Sequence, residues 1–422
     1  MTPTFVMATF IGILFCGITL DLGLIEYTRL VMQRAADAAA VGAQVSHDQE
    51  DANWITNGKL DAAQNGFTDG ATDTTVTIDE QPNNGSYAGR YDAVQATITK
   101  KVKTSFMGIF NGGTQSLTVQ AIALMTPCVY ITNARGWPTV PYPLTLMTGS
   151  SLGNSGGSTM GCPVQVGKGV FVDPISSLWT NATNITGAAS SSVLGGGIFH
   201  APRFGAPTLA DPLSYSAACT TLSSSCIHGT SSGVQAPSFS SCTFANKTWA
   251  SDSMVLSPGT YCDSFSFSNS FVTLSPGLYI ITDGGTWTNS TVTGSGVTLY
   301  FTQKGDGKYG TFTTSNTTMH LSASSVSSNE SLPAILLMND PNWAPTSARD
   351  FSFQNGSSND GDGVFYTVAT GISIQSSTLS ATHYLAFDVD NLLVSSSAIA
   401  PKSNFTPLST GNPFTPMGSL VQ

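Results

Sequence analysis

The chain has 422 residues, which is enough for two or three domains with sizeable cores. Charged residues make up 9% of it, against about 25% in an average soluble domain, and 42 Gly and 21 Pro supply many turns. This composition excludes a coiled coil, a helical repeat array and an ordinary charged cytosolic enzyme. The 41% of hydrophobic residues argues against disorder, because they can bury a core. The sequence therefore predicts a β-rich protein of the kind found outside the cytoplasm.

The net charge of −10 and the pI near 4.7 argue against a nucleic-acid partner. A DNA or RNA binder needs clustered cations to displace counterions, and only 15 Lys and Arg are spread over this chain. We expect no nucleic-acid binding.

An apolar run opens the chain. Phe5 to Leu20 contains no charge, Asp21 follows, and Leu22 to Ile25 is apolar again before Glu26. About 20 apolar residues span a bilayer as a helix. A cleaved signal peptide would need a basic start, which is missing, and a buried core helix would be unusually uniform. We therefore predict one membrane-spanning helix from Phe5 to Ile25.

The helix is predicted to continue beyond the apolar run, from about Thr4 to Ala43, over roughly 60 Å. The helical spacing is carried by Leu24, Tyr27, Val31, Ala35, Ala38 and Gly42. Small side chains let another helix approach closely, and on this stretch they are Ala35, Ala36, Ala39, Ala40 and Gly42. We expect this small-residue face to contact a partner helix.

The residues at the end of the apolar run resemble a known family. An aspartate that ends the span, followed by a Gln-x-Ala-Ala-Asp-Ala-Ala-Ala run, is similar to the N-terminal segment of the TadG-like (TadE/TadG-like) Tad/Flp pilus-assembly proteins. The matching positions are Asp21, Gln33, Ala35, Ala36, Asp37, Ala38, Ala39 and Ala40. The resemblance covers residues 1–50 and implies an inner-membrane-anchored, pilin-like component that contacts other pilus-assembly proteins or pilin-like helices.

Two features depart from that family. The short basic stretch that usually precedes the span is missing, and Phe5 stands where processed pilins carry a glutamate. Polymerisation as a major pilin therefore has no motif to support it. Asp21 has two interpretations: it lies in the headgroup region, or it packs against a partner helix.

Residues 51–127 are predicted to form a small α+β module. The resemblance implies that this module is pilin-like. A helix is expected from Asp51 to Asn65 and a short one from Ser105 to Phe110. Period-2 alternation predicts strands at Thr75–Ile78, Ala93–Thr99 and Ser116–Leu124.

Residues 128–422 are predicted to form a mainly-β domain rich in Gly, Ser and Thr. Leu256-Ser-Pro-Gly-Thr-Tyr261 recurs as Leu274-Ser-Pro-Gly-Leu-Tyr279. A short period with one Pro-Gly turn is typical of a β-solenoid coil, and a β-sandwich with two similar turns is the alternative. The fold class is thus α+β, with an anchor and stalk in 1–50, a module in 51–127 and a β-domain in 128–422.

Six cysteines beyond the apolar run predict three disulfides in an oxidising compartment. They are Cys128, Cys162, Cys219, Cys226, Cys242 and Cys262. The simplest pairing is local, in that order. Cys16 lies inside the apolar run and is expected to be a passive hydrophobe. The six cysteines therefore place the chain after the apolar run outside the cytoplasm. Arg29 and Arg34 lie after the apolar run and would favour the opposite orientation. We give the cysteines more weight, because long domains translocate largely regardless of charge.

Catalytic and metal-binding motifs are weak. The segment 153–157 matches the Gly-x-Ser-x-Gly pattern, but it lacks the flanking strand and helix that a nucleophile elbow needs. The segment 359–363 has too few carboxylates for an EF-hand loop and leaves only a weak surface calcium site as an option. We expect no enzyme activity, no cofactor and no metal.

The sequence therefore predicts a structural component of a Tad/Flp-type pilus assembly or secretion system. It would be a single-pass protein of the bacterial inner membrane with a periplasmic or extracellular C-terminal domain. One alternative is a surface adhesin or carbohydrate-binding ectodomain, whose stacking residues would be Trp137, Trp179, Trp249, Trp287 and Trp343. Another is a self-assembling, pilin-like filament subunit.

Overall fold

A computed structural model gives the fold. It describes residues 2–48, 51–71, 73–83, 87–90, 92–106, 113–125, 127–132, 142–153, 162–180, 183–186, 193–194, 197–198, 203–206, 213, 237, 241–303, 309–325, 332–340, 342, 349–408, 413–414 and 420–421. Two compact units result: unit 1 is residues 1–125 with 418–422, and unit 2 is residues 126–417. Unit 2 is therefore an insertion in the chain of unit 1.

Unit 1 begins with one continuous helix, α1 (Thr2–Asp48), of 47 residues. At 1.5 Å per residue it is about 70 Å long, so the predicted uninterrupted helix is confirmed. Within the described part of the chain, no helix combines the length and the apolar character needed to cross a membrane. The predicted span at 5–25 rests partly on the side chains of 2–14, which lie outside the described residues.

The rest of unit 1 is a helix and a small antiparallel sheet, as the sequence predicted. The elements are α2 (Trp54–Gln64), β1 (Thr74–Asp79), β2 (Ala93–Lys103) and β3 (Thr114–Leu124), with β34 (Leu420–Val421) pairing on the far side of β3. Ser105 and Phe106 form a bend instead of the start of the predicted short helix, and the remainder of that helix lies outside the described residues.

The core of unit 1 forms where α1 meets α2 and the sheet. Its buried alanines are Ala35, Ala36, Ala39, Ala40 and Ala43. A Cβ added to Gly58 of α2 would lie 2.7 Å from the Cβ of Ala43 and 2.9 Å from the carbonyl oxygen of Ala39. The expectation that Ala35, Ala36, Ala39, Ala40 and Gly42 contact a partner helix is therefore wrong, because these residues lie against the chain's own module. Their small size lets α1 approach that module closely.

Unit 2 is a stack of coils, each of which contributes short strands to three parallel ladders. Ladder A contains β4 (Val129–Ile131), β7 (Val164–Gly167), β10 (Thr183–Thr186), β13 (Arg203–Ala206), β16 (Gly259–Ser268), β18 (Gly277–Thr282), β21 (Val297–Thr302), β24 (Ile335–Asn339), β27 (Gly363–Thr367) and β30 (Tyr384–Val389). Ladder B contains β5 (Leu144–Met147), β8 (Val170–Val172), β11 (Val193–Leu194), β14 (Phe244–Ala250), β19 (Gly285–Thr288), β22 (Phe312–Ser315), β25 (Phe351–Gln354), β28 (Ile372–Gln375) and β31 (Leu392–Ser395). The strands β14 and β16 are long enough to pair in both ladders.

Ladder C completes each coil with β6 (Ser151–Leu152), β9 (Ser177–Leu178), β12 (Gly197–Ile198), β15 (Ser253–Leu256), β17 (Phe271–Leu274), β20 (Thr291–Ser295), β23 (Thr318–Ser322), β26 (Ser358–Asn359), β29 (Thr378–Leu379) and β32 (Ala398–Ile399). Only β33 (Lys402–Ser403), which pairs with β30, runs antiparallel among the described strands of this unit. The parallel ladders do not fit a β-sandwich of antiparallel pairs.

The coils do not stack in chain order. The coil of β4, β5 and β6 pairs in parallel with the coil of β30, β31 and β32, so that Val129 aligns with Phe387 and Leu144 with Leu392. The first coil of unit 2 thus lies beside the last one in the middle of the stack. The chain therefore enters and leaves unit 2 at neighbouring coils. This fits an insertion, whose two ends both continue into unit 1.

The interior of the stack is aromatic, and the repeated Leu-Ser-Pro-Gly-x-Tyr motif contributes to it. The Tyr261 hydroxyl donates to the carbonyl of Ser257 at 2.6 Å, and the Tyr279 hydroxyl donates to that of Ser275 at 2.9 Å. In each copy of the motif, the tyrosine hydroxyl therefore hydrogen-bonds a backbone carbonyl of the same copy. Burial raises the pKa of Tyr261 to about 12, so it stays a neutral donor at physiological pH.

We predict that Ala39→Leu destabilises unit 1 by about 1–3 kcal/mol, because the larger side chain overfills the contact between α1 and the module. Arg34→Leu, at an exposed position five residues earlier on α1, is the matched control and should change stability little. Urea unfolding followed by amide hydrogen exchange in β2 and β3 would report unit 1 alone. Equal stability of the two variants would contradict this packing.

Candidate functional site

The family-motif aspartate is buried against its own module. The Asp21 carboxylate accepts hydrogen bonds from the backbone N–H groups of Ser105, at 3.1 Å, and Phe106, at 2.7 Å. These groups lie just after β2, where the ladder no longer supplies acceptors. The structure thus gives Asp21 a contact that neither the headgroup nor the partner-helix interpretation foresaw.

One turn before Asp21, the Phe106 ring packs against Gly17. A Cβ added to Gly17 would lie 2.2 Å from that ring, so only glycine permits the contact. Gly17 and Asp21 are four residues apart and face the same side of α1. Together they hold the bend after β2 against the helix.

A second part of the motif attaches α1 to β3. The Gln33 side-chain amide donates to the carboxylate of Asp37 at 2.9 Å and to the backbone carbonyl of Gln120 at 3.0 Å. The buried alanines continue the same face, and Ala38 is half-buried beside it. The motif therefore marks the inner face of α1, by which the helix binds its own module.

Outside these contacts, several large apolar side chains of α1 are exposed. Its large exposed side chains are Phe15, Leu20, Leu22, Leu24, Tyr27 and Leu30. Leu20 and Tyr27 are 69% and 68% exposed, although they are the kind of side chain that usually lies in a core. We call this set of six residues the outer face. It is the candidate functional site, since a group of large exposed apolar side chains marks a membrane or protein contact.

Sequence reasoning had grouped Leu24 and Tyr27 with Ala35 on one face. In the structure Ala35 is buried, whereas Leu24 and Tyr27 are exposed. The buried stretch is rich in alanine, but it also contains Met32, so side-chain size alone does not mark it.

Two disulfides link neighbouring coils of unit 2, as the local pairing predicted. Cys128 pairs with Cys162, and Cys242 pairs with Cys262. The proposed third pair, Cys219 with Cys226, lies outside the described residues. Cys16 is a free, exposed thiol on α1.

Where the structure describes them, the motifs considered for catalysis and metal binding give no assembled site. Most of the 153–157 motif lies outside the described residues. In the 359–363 segment, Asp360 contacts His320 at 2.8 Å and Asp362 contacts His383 at 2.7 Å, so the two carboxylates bind different histidines. Within the described ranges, no group of three or more His, Cys, Asp or Glu side chains could hold a metal ion.

The three described tryptophans among those suggested for sugar stacking are buried or half-buried. Trp287 is fully buried, and its indole N–H donates to the carbonyl of Phe265 at 3.0 Å. Trp249 is half-buried and packs on Tyr261 and Phe267. Trp179 is half-buried, and Trp137 and Trp343 lie outside the described residues.

Buried charge in unit 2 occurs between ladders A and B. Burial lowers the pKa of Arg349 to about 10, and the nearby carboxylate of Asp390 opposes that shift. Arg349 therefore remains charged at neutral pH.

We predict that Gly17→Val destabilises unit 1 by about 1–3 kcal/mol, since the new side chain would displace Phe106. Gly23→Val is the matched control, because a Cβ at Gly23 has no neighbour within 4 Å. Thermal unfolding of the two variants tests the packing of Phe106 against Gly17 directly. A larger loss of stability in Gly23→Val than in Gly17→Val would contradict that contact.

We also predict that Asp21→Ala leaves two backbone donors without their acceptor, at about 1–3 kcal/mol for each group that water cannot reach. Faster amide exchange at Ser105 and Phe106, compared with Thr77 in β1, would show the loss locally. Unchanged exchange at both amides would contradict the hydrogen bonds to Asp21.

The comparisons with known proteins concern unit 1. Residues 28–123 match the family Tad_C, described as "Putative Tad-like Flp pilus-assembly". No curated protein and no solved structure matches the chain. The matched range contains most of the motif and extends over α2 and β1 to β3. The resemblance of the N-terminal segment to Tad-like Flp pilus-assembly proteins is therefore confirmed.

Proposed function

We propose that the protein is a membrane-anchored, non-enzymatic structural component of a Tad/Flp-type pilus assembly or secretion system. The observation that carries this proposal is the division of α1 into an inner face, bound to the Tad-like module, and an apolar outer face that is left uncovered. The family match supports a role in pilus assembly.

The outer face supports the membrane and partner parts of the proposal. Burying apolar surface yields about 25 cal/mol per Å², so six exposed large side chains favour a lipid or protein contact. Because the module occupies the inner face, a lipid or a partner helix would have to bind α1 from the other side. This differs from the small-residue contact that the sequence had predicted.

The disulfides support an extracytoplasmic location for unit 2, since such bonds persist in oxidising compartments. The three parallel ladders support the β-solenoid interpretation of this unit. We propose that α1 anchors the protein at the bacterial inner membrane and that unit 2 is carried in the periplasm or on the pilus.

Two alternatives use the same anchor. In the first, the outer faces of many copies assemble into a filament core. In the second, the protein is an adhesin, although the burial of Trp287 removes one of the aromatic residues on which that interpretation relied.

The first test introduces a charge on the outer face. We expect Tyr27→Asp and Leu24→Asp to abolish pilus assembly in a strain that lacks the wild-type protein, with normal protein levels and an unchanged stability of unit 1. Val45→Asp is the control, because Val45 is exposed on the same helix beyond the outer face. Normal pili from both outer-face variants would refute the proposal.

The second test is topology. A reporter that is active only in the periplasm, fused after Pro127, should be active, and a cytoplasmic reporter at the same position should be silent. The reverse result would contradict the proposed location.

A further inference from the structure

Lysines are concentrated at the end of β2. Lys100, Lys101 and Lys103 lie within four consecutive positions, although the whole chain has only 15 Lys and Arg. Lys101 and Lys103 are exposed and alternate with the buried Val102, so their side chains lie on the face of the sheet that points away from the core. Lys100 is half-buried, with its ammonium 5.1 Å from the centre of the Phe67 ring. Lys101 and Lys103 are therefore the two lysines whose charges face outward.

These two charges are not neutralised within the described part of the chain. The backbone N–H of Lys101 donates to the carbonyl of Asp73 at 2.9 Å, but neither Lys101 nor Lys103 forms an ion pair with a side chain that the structure describes. By contrast, the ammonium of Lys59 contacts the carboxylate of Asp69 at 2.7 Å. The end of β2 thus presents positive charge in a protein whose net charge is −10.

Contacts on either side of the lysines show which part of α1 they lie beside. The Gln33 side-chain amide donates to the backbone carbonyl of Gln120, and Gln120 pairs with Thr97 of β2. Farther along the chain, the Ser105 N–H donates to the carboxylate of Asp21. The strand β2 and the helix α1 therefore run in opposite directions. The lysines lie between these two contacts, close to the one made by Asp21.

This level is where the apolar part of α1 ends. Asp21 and Glu26 carry the first two charged side chains of the chain. Lys103 is two residues from Ser105, which is about 7 Å along a strand. Glu26 is five residues from Asp21, which is about 7.5 Å along a helix. Lys103 is therefore level with the end of the apolar run, and Lys101 lies two residues farther from it.

We propose that Lys101 and Lys103 bind the phosphate groups of anionic phospholipids at the surface of the membrane that α1 spans. This contact rests on the proposed membrane anchor and adds a second attachment, made by the module. The headgroup layer is about 5–8 Å thick on each side of the hydrocarbon, so Lys103 lies within it. The flexible stem of Lys101 lets its ammonium reach the same layer. Each lysine near an anionic surface strengthens binding roughly fivefold.

A lipid surface fits these lysines better than an acidic protein does. Their level is that of the headgroups, so a protein partner would have to displace lipid to reach them. The rest of the chain is acidic, with a pI near 4.7, and an anionic surface repels it. We therefore expect the lysines to orient the module, with the end of β2 toward the lipid.

The test measures lysine reactivity in the full chain, reconstituted into vesicles of phosphatidylcholine alone or of phosphatidylcholine mixed with phosphatidylglycerol. Reductive methylation by formaldehyde, a neutral reagent, is followed at each lysine by mass spectrometry. Lys101 and Lys103 should react about fivefold more slowly in the anionic vesicles, because the headgroups stabilise the ammonium form. High salt should remove this difference. Lys168 and Lys247, which are exposed in unit 2, are the internal controls and should keep their rates.

Three results would overturn the proposal. The first is an equal rate at Lys101 and Lys103 in both kinds of vesicle, and the second is equal slowing at all four lysines. The third is slowing in cells that assemble the pilus with none in anionic vesicles, which would assign the lysines to an acidic protein. A chain that does not float with phosphatidylcholine vesicles would contradict the membrane anchor as well, so the two failures are distinguishable.

A matched pair of double variants locates the contact. Lys101→Gln with Lys103→Gln should abolish the preference of the protein for spin-labelled phosphatidylglycerol over phosphatidylcholine, measured by electron paramagnetic resonance. Lys168→Gln with Lys247→Gln removes the same charge from unit 2 and should retain the preference. Both proteins should keep the wild-type melting temperature, because all four lysines are exposed. An undiminished preference in the first variant, or an equal loss in the second, would contradict the assignment.

Discussion

The close approach of α1 to its own module is the contact on which the account of unit 1 depends. Five alanines without exposed surface allow it, and Asp21 and Gln33 hold it by bonds to the backbone of the module. An Ala-rich helix gains little hydrophobic energy for each residue, so these polar attachments matter more here than they would beside a leucine-rich face. Because the inner face is occupied, the larger apolar residues of α1 are left outside.

In unit 2 the corresponding constraint is the parallel register of the ladders. Each coil satisfies its backbone groups with the two neighbouring coils, so a coil is stable only within the stack. The disulfides Cys128–Cys162 and Cys242–Cys262 each join neighbouring coils. The connection between ladders B and C can therefore lengthen without disturbing the ladders, as it does at 355–357, 148–150 and 173–176.

Local patterns in the sequence predicted much of this structure. The long helix, the strands of unit 1, two disulfide pairs and the coil repeat around Tyr261 and Tyr279 were all visible as local signals. The partner of Asp21 was not, because Ser105 lies 84 residues away in the chain. The faces of α1 were misassigned because small residues suit an internal sheet as well as a foreign helix. The stacking of the 129–152 coil on the 384–399 coil has no local signal.

The most direct test of the central claim is site-specific photo-crosslinking of α1 in cells that assemble the pilus. A photoreactive residue at Leu20 or Tyr27, on the outer face, should give products with other proteins or with lipid. The same residue at Met32, a large buried side chain of the inner face, should crosslink only within the chain, to the module. Intermolecular products from Met32, with none from Leu20 or Tyr27, would contradict the account.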